Sequence, residues 1–131
     1  LHNDLAAIYL RLGNLNTAIT EYRSALEIDP KHVSAQIGLG IAYSEQGNLD
    51  DAITAGEKAV LLEPKNAWAR YYLAFSYALK NEVLLSIDAL KQAVNLDARM
   101  INFLQTDSGF DGIRNRPEFV GFVESLTPNE K

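Results

Sequence analysis

Tyr9, Tyr43 and Tyr77 are evenly spaced along the chain, and the landmarks around them recur at the same interval. Leu5, Leu39 and Leu73 keep it, as do Ala18, Ala52 and Ser86, then Ala25, Ala59 and Ala93. A chain written this way is a tandem array. Each unit carries an apolar face that it cannot bury alone, so neighbouring units must stack into one continuous core. A period of about 34 residues, with small and large residues in a fixed order, predicts a helix-turn-helix solenoid, and it moves the functional question from chemistry to binding.

Within the second unit, Ile37, Gly40, Ile41 and Ser44 recur at helical spacing, with Leu39 and Tyr43 on the adjoining stripe. The register predicts helix pairs near 1–12 and 15–28, 32–46 and 49–62, and 66–80 and 83–96. Gly13 and Gly47 supply the left-handed backbone that ends a helix, and Asn81, the next most tolerant residue type, replaces them in the third unit. Asn14 and Asn48 follow the glycines and are expected to cap the second helices with their side chains. Pro30 and Pro64 stop those helices; Ala98 takes the third such place, so a more continuous passage into the last unit is expected.

The residues Leu39-Gly40 with Tyr43, Leu73-Ala74 with Tyr77, Gly-Asn-Leu at 13–15 and 47–49, and Leu62-Glu63-Pro64 resemble the tetratricopeptide repeat (TPR) family. The resemblance implies an all-α fold, an α-solenoid of helix-turn-helix repeats in a right-handed superhelix closed by a C-terminal capping helix. It implies one domain over 1–131, with repeats near 1–32, 33–66 and 67–100, a divergent partial repeat and cap at 101–126, and a tail at 127–131. The segment Phe110 to Phe119, F-D-G-I-R-N-R-P-E-F, is similar to the ending of many bacterial members. Phe110, Ile113, Phe119, Phe122 and Val123 would then cover the open end of the array; a docking segment for a partner is the alternative.

The chain is acidic, net −5, without a run of Lys or Arg, so nucleic-acid binding through phosphate neutralisation is not expected. It has no cysteine, and no apolar stretch has the length of a membrane span. His2 and His32 are the two histidines, and neither stands in a nucleophile or metal-ligand pattern; Asp50-Asp51 begins a helix, where acidic residues suit the macrodipole. No catalysis, metal or cofactor is expected. Leu1 falls inside the first helix by register, so further residues are expected upstream, and the location is expected to be cytoplasmic.

In this family the first helix of each unit lines the concave groove. By register the groove would show Asn3, Ala7 and Leu10, then Ile37, Ile41 and Ser44, then Trp68, Tyr71, Tyr72 and Phe75. The four aromatics fall at i, i+3, i+4 and i+7, on one helical face, and Trp68 and Tyr71 have no aromatic counterpart in the other units. Core residues should recur with the repeat, so a face that does not recur points to partner contact; coverage by the C-terminal segment is the competing reading. Family members that hold an acidic C-terminus use a clamp of Lys, Arg and Asn, and at the matching places stand Asn3, Ala7, Gly38, Trp68 and Tyr72, with no cation. Gly56, mid-helix, reads as a close helix contact filled by Trp68 or Tyr72, and Leu84-Leu85 as meeting the C-terminal cap. The resulting function is a non-catalytic interaction module, a scaffold, adaptor or assembly factor, that binds an apolar or aromatic-bearing segment of another protein. A self-associating module and the targeting domain of a larger enzyme are the alternatives.

Overall fold

The computed structural model describes residues 1–126, so the expected tail at 127–131 lies outside the described residues. Six helices form three antiparallel pairs: α1 (His2–Arg11) with α2 (Leu15–Ile28), α3 (Val33–Gln46) with α4 (Leu49–Leu62), and α5 (Ala67–Leu79) with α6 (Val83–Leu96). These bounds match the register to within a residue or two. Two further helices follow, α7 (Met100–Thr106) and α8 (Pro117–Leu126), joined through a 3₁₀ turn at Ser108–Ile113. No strand occurs among the described residues, and none of their helices is long and apolar enough to cross a membrane.

The tight turns within the pairs follow from three left-handed residues, Gly13 (φ 80°), Gly47 (φ 89°) and Asn81 (φ 66°). That conformation carries the next N–H back along the helix just ended, so Asn14, Asn48 and Glu82 donate to Tyr9, Tyr43 and Tyr77 carbonyls at 2.9 Å each. Asn14 and Asn48 do begin α2 and α4, but neither side chain caps the helix, contrary to expectation. Their ψ of 76° and 75° lies short of the extended range that aims a capping oxygen at the helix, and Asn48 Nδ2 donates to Gln46 instead. Side-chain capping occurs at the longer connections, where His32 accepts from Ala35 N–H and Asn66 from Ala69 N–H.

Helix α6 ends at Leu96 although no proline follows it, and residues 97–99 separate it from α7, so the more continuous passage expected at Ala98 does not form. The turn at Asp97 forms without a proline: its carboxylate accepts the Arg99 N–H at 3.0 Å and holds the Arg99 guanidinium, forming an Asx turn. Asp29 makes the same turn with Lys31 N–H after α2.

Between pairs, alanines allow close approach: Ala6, Ala18, Ala35, Ala42, Ala52, Ala69 and Ala74 are wholly buried. Ser86 takes the place of Ala18 and Ala52 without an orphaned hydroxyl, because it donates to the Ala74 carbonyl at 2.9 Å. Gly56 is the expected close contact, though with a different neighbour, since a β-carbon there would stand 3.1 Å from Leu73 Cδ1 and 3.3 Å from its Cα. In the second half, Met100, Leu104, Phe110, Ile113, Phe119 and Phe122 are buried in one core with Ala74, Ile87, Leu90 and Ala93. The C-terminal segment therefore closes the array. The segment does not bury Leu84 and Leu85, which remain 69% and 49% exposed near the start of α6.

Candidate functional site

Helices α1, α3 and α5 pack side by side, so the first helices of the three pairs form one continuous row. The residues expected to line a groove along it have four different fates. Trp68, Tyr72 and Ile37 border a groove of about 640 Å³ at the N-terminal ends of α3 and α5, together with Val33, Ser34 and Asn66. Ile41 and Phe75 lie lower on the same helices, where the space between them has closed to about 10 Å³, too small for a ligand atom group. Ser44 is buried there and shares a hydrogen bond of 3.0 Å with Ser76. Asn3 and Ala7 stand away from the groove; Asn3 Nδ2 instead donates to Ser34 Oγ at 3.4 Å, and Leu10 packs against the first core.

Tyr71 does not face the groove. It is 1% exposed, and its hydroxyl donates to Asp107 Oδ2 at 2.6 Å. The cause is the break in the fourth unit: α7 stops at Thr106, Asp107 accepts Gly109 N–H at 2.9 Å, and the 3₁₀ turn folds onto α5. Phe110 then meets the edges of Tyr71 and Phe75 at 5.6 and 6.0 Å. Arg114 fastens this arrangement by donating to the Leu104 and Asp107 carbonyls at the end of α7, where a cation suits the helix dipole. Burial first, then the Asp107 hydrogen bond and charge, pushes the Tyr71 phenol above its ordinary range. The two readings of the aromatic face thus each hold for part of it. Tyr71 is covered by the C-terminal segment, which also packs against one side of half-buried Phe75, while Trp68 and Tyr72 remain at the groove.

Trp68 and Tyr72 stack at 5.8 Å with their planes 22° apart. Phe103 extends this surface: its ring lies 4.9 Å from the Trp68 ring, and the residue is 45% exposed. Reading the sequence missed Phe103 as a site residue, although it carries the same signal as Trp68, an aromatic where Ala35 and Ala69 stand in the register. Burial and then Asp107 raise the Tyr72 phenol pKa, so its hydroxyl stays a neutral hydrogen-bonding group. The rim carries Asp29, Glu63, Lys31 and His32. His2 pairs with Glu21 at 2.6 Å, and no group of His, Asp or Glu among the described residues is arranged to hold a metal ion.

Residues 6–47 match the family described as TPR repeat, and residues 33–66 match the family described as Tetratricopeptide repeat. Residues 6–66 are tetratricopeptide repeats. Among curated proteins none matches this sequence significantly. Solved structures of similar fold include MamA, 25% identical with a TM-score of 0.72 over 92% of this chain and 71% of MamA. The Yersinia enterocolitica type III secretion translocator chaperone SycD is 18% identical, with a TM-score of 0.74 over 95% of this chain and 88% of SycD. The first TPR domain of Spaghetti (RPAP3), solved with the HSP90 peptide SRMEEVD, is 14% identical, with a TM-score of 0.73 over 95% and 86%. At such low identity the likenesses to SycD and to Spaghetti concern the fold alone.

Proposed function

We propose that this TPR domain is a non-catalytic interaction module that holds an apolar or aromatic-bearing segment of a partner protein against Trp68, Tyr72, Ile37 and Phe103. The observation that carries the reading is the partly open surface of stacked Trp68 and Tyr72, with the Phe103 ring tilted against Trp68, beside a groove of about 640 Å³. Aromatic side chains on packed helices lose little freedom on binding, and Trp and Tyr dominate interface energetics. With Asn3, Ala7, Gly38, Trp68 and Tyr72 at the clamp places, an acidic C-terminus such as that of SRMEEVD finds no cation at any of those five positions.

Trp68 is the single tryptophan of the chain, so its fluorescence reports on the groove directly. Titration with a panel of short apolar-aromatic peptides should shift its emission saturably, with little dependence on salt, whereas SRMEEVD should leave it unchanged. Trp68→Ala and Tyr72→Ala should each weaken binding by about 2 kcal/mol, read by calorimetry. Equal binding of SRMEEVD, or unchanged affinity in both variants, would sink the proposal.

A further inference from the structure

A second groove, of about 650 Å³, opens on another face of α3, where α2 and α4 flank it. Gln36 lines this groove and is 8% exposed. Its carboxamide makes no hydrogen bond to another of the described residues. Among the described residues, no side-chain nitrogen or oxygen sealed from solvent lacks a partner, so the Gln36 amide must reach open space, and the space beside it is the groove.

The other repeats do not leave this register open. His2, one repeat period earlier, pairs with Glu21, and Arg70, one period later, donates to Gln92 and to the Pro64 carbonyl. Where the outer repeats place Glu21 and Gln92, the middle repeat has Ala55 and Lys58, neither of which offers an acceptor. The unpaired amide is therefore particular to the second repeat and is not a general feature of the fold.

A carboxamide presents a donor and an acceptor side by side, and its natural complement is another amide. Arg23 and Lys58 on the groove walls are offset by Glu27 and Asp51, which disfavours a charged tail as the occupant. Arg23 is held in place, donating to the Tyr43 hydroxyl at 2.5 Å with its guanidinium 5.8 Å from the ring centre. We propose that this groove binds an extended, neutral peptide segment, with Gln36 pairing both ways to one of its backbone amide groups. The surface is separate from the Trp68 groove and does not depend on it.

The probe is a display library of short random peptides, panned on the wild-type domain and on Gln36→Leu, which keeps the side-chain shape and removes both hydrogen-bonding groups. Peptides selected on the wild type should bind Gln36→Leu at least about tenfold more weakly. Thr54→Arg, which fills the groove from an exposed wall position, should abolish binding, while Trp68→Ala should leave it intact. Matched thermal melts establish that the variants fold. N-methylation at one peptide position should remove binding if a backbone amide is read; loss only on replacing an Asn or Gln side chain would overturn that assignment. Absence of an enriched family, or equal affinity for Gln36→Leu and Thr54→Arg, would overturn the site.

Discussion

Replacing Tyr71 with phenylalanine removes one atom, the phenolic oxygen that donates to Asp107 Oδ2 at 2.6 Å across 36 residues of sequence. The ring keeps its edge contacts with Tyr72 at 5.4 Å and Phe110 at 5.6 Å, so apolar burial is unchanged. Asp107 keeps the Gly109 N–H at 2.9 Å, so its carboxylate is not stranded. What is lost is one hydrogen bond between a buried phenol and a carboxylate, worth about 1.5–3 kcal/mol. We expect the lower half of that range, about 1.5–2 kcal/mol, because Asp107 is half-buried and water can take the vacated position. Urea denaturation followed by Trp68 fluorescence and by far-ultraviolet circular dichroism measures it, and a double-mutant cycle with Asp107→Ala isolates the pair, with an expected coupling above about 0.5 kcal/mol. A Tyr71→Phe variant within about 0.5 kcal/mol of the parent, with an additive cycle, would show that this bond does not hold the C-terminal segment to α5. Tyr71→Ala should destabilise by about 3–5 kcal/mol through the cavity it leaves, so its main effect is on folding and not on partner affinity.

Deleting residues 110 onward should uncover Leu90, Ala74 and Ile87 while removing four buried side chains, Phe110, Ile113, Phe119 and Phe122; at about 1.5–3 kcal/mol each this approaches the stability of a whole domain, and light scattering should detect aggregation. Leu84→Ser with Leu85→Ser should shift the urea midpoint by less than about 0.5 kcal/mol of stability per site, since both leucines are largely open to solvent. Gly109→Ala should destabilise by about 1–3 kcal/mol, because its β-carbon would stand 2.5 Å from Phe75 Cδ2 and the ring must move, which a melting curve will show. Burial raises the phenol pKa values of Tyr22, Tyr71, Tyr72 and Tyr77 above the ordinary 10.0. The neutral phenols favour the fold, so that stability is complete below pH 10.0 and falls as pH rises through the folded-state values. Urea midpoints measured from roughly pH 8 to 11 should decline at the alkaline end, less steeply in Tyr71→Phe.

By itself the sequence determined the helix bounds and their turns, which the repeat spacing encodes, though not the side-chain capping expected of Asn14 and Asn48. The repeat period placed six helices, the left-handed positions at Gly13, Gly47 and Asn81 ended three of them, and recurring alanines marked where helices approach. Those are short-range properties, written three times over, so each copy corroborates the others. The residues after Ala98 leave the period, and their placement rests on pairings far apart in sequence, such as Tyr71 with Asp107 and Phe75 with Gly109. Only the tertiary structure could divide one helical face of four aromatics into two that the closing segment packs against, one of them fully buried, and two that border a groove, because the face looks uniform until the 3₁₀ turn lands on half of it. The same holds for Leu84 and Leu85, which the closing segment leaves exposed at 69% and 49%. Non-recurrence in the sequence identified positions where the array departs from its own rule, and long-range packing decided whether each departure became core or surface.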